Sequence, residues 1–136
     1  MIAVDTSVLV DVLTADPRFV DASASSLAAA LGAGDLVVCD AVVAEMYAML
    51  DASDATMESI ASLGIRYLPV SESAAVRAGH MQRRFRQRGG RRDRVIADFL
   101  IGSHAMLQCG ALITRDGGFF RDYFKGLRII EPQAAN

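Results

Sequence analysis

Five short apolar runs recur along the chain, and the stretches between them are long enough to hold helices. They are "IAV" at 2–4, "LVVC" at 36–39, "IRYL" at 65–68, "ALIT" at 111–114 and "LRII" at 127–130. Short, mostly apolar runs of this kind suit the strands of a sheet covered on both faces. Strands that alternate with helices imply an α/β fold with a mainly parallel sheet of about five strands between two helical layers. The connecting segments carry helix signals. A short helix is expected from about Ser7. Asp16-Pro17 is a cap-and-first-turn pair for a helix to about Leu31, and Asp40 is a cap for a helix to about Leu50. Ser53 or Asp54 starts the next, ending near Gly64. Ser71 opens a long helix, and Asp93 is the cap for a helix over 94–108.

The length of 136 residues fits one domain over 1–136. A chain of that size buries about two-thirds of its unfolded surface, so its core needs no disulfide. Hydrophobic residues make up 52% of it, which argues against disorder. No apolar run approaches the ~18 residues of a membrane span. The start has no basic segment followed by an apolar stretch and a cleavage site, so a cytoplasmic location is expected. Cys39 and Cys109 lack metal-ligand spacing and read as reduced, buried thiols.

The net charge of −2 conceals a cluster: "RRFRQRGGRRDR" holds seven of the fourteen basic residues. Arg83, Arg84, Arg86, Arg88, Arg91 and Arg92 form either a solvated helix end or an anion-binding patch, since guanidinium forks suit phosphate.

Four carboxylates stand in apolar surroundings. Asp5 follows the first strand and Asp116 the fourth, and ligands of open α/β sheets bind beyond the carboxyl ends of strands. On "DAVVAEMYAML", Glu45 shares a helical face with Val42, Met46, Met49 and Leu50. Asp98 is the only acidic or basic side chain between Val95 and Leu107, His104 aside. Each has a structural alternative. Asp5 and Asp116 can cap the following helices, Glu45 can pair with an arginine, and Asp98 can pair with Arg94 one turn back. Taken together, they suggest one cluster whose mutual repulsion a divalent cation would relieve. Mg²⁺ and Mn²⁺ favour such oxygen ligands. Asp93 competes with Asp98 for the same role, and Asp122 is an outside candidate. His80 and His104 have no partner for nucleophilic chemistry.

Two strand-end-acid patterns are excluded. A haloacid-dehalogenase-type phosphohydrolase needs a second Asp at position 7, which is Ser here. A receiver domain needs paired acids and a strand-end Lys, whereas the only lysine is Lys125.

With "AVDTSVLVDVL", "AEMYAML", "IADFLIGSHA" and "ALITRDGGFFRDYFKGLRIIEP" in that order, the chain resembles the PIN-domain family, and in particular the VapC-type toxins of toxin–antitoxin pairs. The resemblance implies a three-layer α/β/α fold and a Mg²⁺- or Mn²⁺-dependent endoribonuclease. Asp5, Glu45, Asp98 and Asp116 match the family's acidic metal-binding set, and Ser7 and Thr114 match site-ordering hydroxyls. It also implies an RNA substrate, a small antitoxin protein as partner and a homodimer. The arginine patch is then a contact for RNA or antitoxin. Tyr47, Phe85, Phe119, Phe120 and Tyr123 are stacking candidates that core packing would equally explain, and so are Met46, Met49 and Leu50 as a partner-binding stripe. A housekeeping nuclease acting on RNA or DNA, and a scaffold that only binds, are the alternatives.

Overall fold

β1 (Ile2–Val4) lies at the centre of the molecule, where every side chain of "IAV" is buried. The computed structural model describes residues 1–133 apart from 52, 54 and 91–93. β1 pairs in parallel with β2 (Leu36–Val38) on one side and β4 (Ala111–Ile113) on the other, with Ile2 opposite both Leu36 and Ala111. β3 (Ile65–Tyr67) and β5 (Arg128–Ile130) form the edges, giving the all-parallel order β3-β2-β1-β4-β5. Helices complete a three-layer α/β/α fold. The three central strands are buried throughout, while the edge strands carry exposed residues such as Tyr67 and Arg128. β1 is the switch point: connections run to one side of it for β2 and β3 and to the other for β4 and β5.

The helices are α1 (Thr6–Leu13), α2 (Val20–Ala33), α3 (Asp40–Met49), α4 (Ala55–Ser62), α5 (Glu72–Gln87), α6 (Ile96–His104) and α7 (Gly117–Tyr123). Their starts depart from the sequence signals for identifiable reasons. Asp16 closes a turn instead of opening α2: its side chain accepts from Arg18 N, and its carbonyl accepts from Phe19 N and Val20 N. Asp40 is the first residue of α3 and Cys39 is its cap, because the Asp40 carboxylate accepts from Val70 N at 3.1 Å, across the sheet connection. Ser71 caps α5 as expected, accepting from Ala74 N at 3.2 Å. Asp54 and Asp93 lie outside the described residues, and so do Arg91 and Arg92.

α6 is shorter than the span 94–108. It ends at His104 and continues as a π-helical turn, Ala105–Cys109, before Gly110 at φ 139°. It is also less enclosed at its start than its apolar sequence suggests, with Val95 and Ile96 exposed. Its middle packs tightly: a Cβ on Gly102 would come 2.3 Å from the ring of Phe124, so only glycine fits that crossing. Phe85, Phe119 and Phe120 are core residues, whereas Tyr47 and Tyr123 are exposed. Met46 is buried, but Met49 is 64% exposed and does not join it in the core. Cys39 is buried and Cys109 half-buried, both as free thiols. Among the described residues, no helix is long and apolar enough to cross a membrane.

Candidate active site

The Asp5 backbone continues the β1–β4 ladder, its N–H donating to the carbonyl of Ile113 at 3.0 Å. One residue later the chain turns into α1, with Asp5 as cap. Its Oδ1 accepts from Thr6 N at 2.8 Å. Its Oδ2 accepts from the Thr114 hydroxyl at 2.6 Å and from Ser7 Oγ at 3.4 Å. Thr114 Oγ1 in turn accepts from Asp116 N at 2.9 Å. One hydroxyl thus joins the Asp5 carboxylate to the Asp116 backbone N–H. The Asp5 carboxyl is 7% exposed, and burial pushes its pKa up from 3.8 to about 6. The hydroxyl of Thr114 and the N–H of Thr6 oppose this rise, and the negative charges of Glu45 and Asp98 add to it.

Glu45 reaches the same region from α3, where its Oε1 accepts from the Thr6 hydroxyl at 2.8 Å. Asp98 sits in the first turn of α6, its side chain 20% exposed, and accepts from Val95 N at 3.0 Å. Asp116, 44% exposed, is gripped by the Arg94 guanidinium, with Nη1 to Oδ2 at 2.5 Å and Nη2 to Oδ1 at 3.4 Å. The same Nη1 lies 4.0 Å from Asp98 Oδ1. The guanidinium also covers the Phe119 ring at 4.1 Å.

The four acids from distant segments are therefore linked around the ends of β1 and β4. Thr6 ties Glu45 to the Asp5 turn, Thr114 ties Asp116 to Asp5, and Arg94 joins Asp116 to Asp98. Among the described residues, no three carboxylates lie close enough to share an ion, and Arg94 is the cation between Asp98 and Asp116. Asp122 is elsewhere, beside Arg84 and Arg88 in a separate groove. Arg83 and Arg86 are exposed.

Three contributors escaped the sequence reading: Thr6 as the donor to Glu45, Arg94 as a bridge reaching Asp116, and the pair Asp11–Arg115. Asp11 is 1% exposed and takes Arg115 Nε at 2.7 Å, Arg115 Nη2 at 2.9 Å and Ser23 Oγ at 2.8 Å. Arg115 also stacks on Phe19 at 4.0 Å and donates its N–H to Ser7 Oγ at 3.4 Å. A signal for Asp11 was present: it is a lone acid in "VLVDVL", as Asp98 is in "VIADFLI". His104 is fully buried and far round the helix from Asp98. Burial lowers its pKa, and its Nε2 has no hydrogen-bond partner among the described residues.

A comparison with curated protein sequences gives no match. Solved structures do match over nearly the whole chain. VapBC2 from Rickettsia felis, bound to a DNA fragment from its promoter, superimposes with a TM-score of 0.75 at 19% identity, covering 96% of this chain and 98% of that one. FitAcB from Neisseria gonorrhoeae gives 0.64 at 23% identity, covering 97% and 98%. DNA-bound VapBC from Salmonella typhimurium gives 0.66 at 14% identity, also covering 97% and 98%. At these identities the likeness is one of fold. The sequence itself matches the family model for the PIN domain over residues 2–125. That span contains both strand-end acids and both helix acids, and the chain belongs to the PIN-domain family, whose members are nucleases.

Proposed function

We propose that this chain is a metal-dependent endoribonuclease, the toxin of a toxin–antitoxin pair, with Asp5, Glu45, Asp98 and Asp116 as its metal-binding set. The observation that supports the reading is the series of hydrogen bonds and ion pairs through Thr6, Thr114 and Arg94 that links these acids from β1, α3, α6 and β4. The donor set fits Mg²⁺ or Mn²⁺, being entirely carboxylate oxygen. A bound divalent ion supplies a lowered water pKa and stabilises charge developing at phosphorus.

The chain's own groups do the rest. Thr6 N–H, Thr114 and Ser7 hold the Asp5 carboxylate in one rotamer, at the end of a strand that cannot drift. Burial raises the Asp5 pKa when no ion is present, and an adjacent divalent cation would favour its charged form. Asp116 would join the set that holds the ion, and the Arg94 guanidinium, backed by Phe119, is the cation placed beside it that suits a substrate phosphate. Support for a small antitoxin partner comes from the fold, which is shared with the VapBC and FitAcB complexes.

Purified protein is expected to fragment single-stranded RNA with Mn²⁺ or Mg²⁺, to stop in EDTA and to leave DNA intact. Asp5→Asn should fold and lose cleavage by at least about 10²-fold, a typical loss for one essential acid–base group. Full cleavage by Asp5→Asn, or by wild type in EDTA, would refute the assignment. Growth arrest on expression, relieved by the antitoxin, separates a toxin from a housekeeping nuclease.

A further inference from the structure

A second feature lies beyond Phe119, away from the acids. α5 and α7 enclose an open groove of about 390 Å³, whose lining includes Arg77, Arg84, Arg88, Lys125, Tyr123 and Asp122. Four cations therefore face one carboxylate, in a chain whose net charge is −2. Arg84, Arg88 and Lys125 form no ion pair among the described residues. Arg77, Arg84 and Arg88 follow one face of α5, and a rise of 1.5 Å per residue makes the row about 16 Å long. Cations in such a row repel one another, and an extended polyanion relieves that.

Tyr123 decides which polyanion. Its ring is 41% exposed at the groove, seated edge-on against buried Phe85 at 5.2 Å and beside Phe119 at 5.1 Å. Phe119 in turn lies under Arg94, the residue that grips Asp116. The route from the acids to the groove is thus a continuous series of guanidinium, ring and ring. The negative face of an aromatic ring offers nothing to the carboxylates of an acidic peptide, whereas a nucleobase stacks on it. A cationic channel with an aromatic platform is how single-stranded nucleic acid is held without sequence readout.

We propose that this groove binds single-stranded RNA flanking the bond to be cut, with phosphates on Arg84, Arg88 and Lys125 and one base against Tyr123. The inference rests on the nuclease reading above and names where its substrate continues.

The test is fluorescence anisotropy of the full-length protein with a short labelled single-stranded RNA, in EDTA and across a salt series. Joint Arg84→Gln and Arg88→Gln substitution should flatten the slope of log K against log salt by about 1.4, at about 0.7 per lost phosphate contact. Tyr123→Leu, which keeps an apolar cover over Phe85 and Phe119, should weaken binding about 5- to 100-fold at fixed salt with the slope unchanged. Thermal melting checks that the variants are folded. Unchanged RNA affinity and slope in both would overturn the proposal. Loss of labelled oligoglutamate binding with RNA binding intact would also overturn it, assigning the groove to an acidic peptide. Because binding is read without metal, a failure here leaves metal-dependent cleavage standing. Absence of cleavage by wild type, with the groove effects present, would instead remove the nuclease reading alone.

Discussion

Asp5 accepts three hydrogen bonds and still titrates near 6, because burial outweighs them. The consequence for stability has a definite sign. Between pH 3.8 and about 6 the folded chain keeps a proton at Asp5 that the unfolded chain has released. Stability from this group therefore falls as pH rises through that window, then stays low above it. A shift of about two units corresponds to about 3 kcal/mol at most. Without metal, Asp5→Asn should be more stable than wild type by about 1–3 kcal/mol at pH 7, and the gain should vanish near pH 4. Urea unfolding in EDTA at several pH values measures it. His104 titrates in the opposite sense but is common to both proteins, so it cancels in the difference. Equal stability at pH 7 would mean that Asp5 is better solvated than its burial indicates. Divalent cation should raise the melting temperature of wild type far more than that of the variant.

At the scale of elements, the loop from β4 to α7 is pinned by the two residues that precede Asp116. Thr114 binds Asp5, and Arg115 reaches back to Asp11 on α1 while Asp11 also takes Ser23 of α2. Arg115→Ala would strand a buried carboxylate with one hydroxyl for company. The expected loss is about 2–3 kcal/mol by urea unfolding, below the range for a fully buried pair because Arg115 is itself 30% exposed. A loss under about 0.5 kcal/mol would show that Asp11 finds water instead. Such links also mark the limit of what the sequence shows. The three central strands were legible because each is an unbroken apolar run, the edge strands because a mostly apolar run follows Gly64 and Gly126, and Ser71 because its cap is local. Asp16 and Asp40 misled because the same carboxylate that could cap a helix bonds elsewhere. Arg94 was legible as a neighbour of Asp98, one turn away. Its grip on Asp116, and the Arg115–Asp11 pair, join residues 22 and 104 positions apart, and nothing local announces them.

For the whole molecule, the order β3-β2-β1-β4-β5 sets a gradient of protection. Amides of β1 are bonded within a buried sheet with strands on both sides, whereas β3 and β5 are edges with exposed side chains. Native-state hydrogen exchange should show β1 exchanging only through global unfolding and the edges through smaller openings. Exchange of β1 as fast as β5 would contradict the layered core. Asp5 hangs from the slowest strand, so whatever chemistry the acids carry is anchored where the fold opens last. The bond from Thr114 to Asp5 spans 109 positions. At ribosomal rates of 5–20 residues per second, the first carboxylate waits about 5–20 s for its partner hydroxyl to be synthesised. A translation product cut short before Thr114 lacks the hydroxyl that fixes Asp5, so the acids cannot be ordered before β4 has been made.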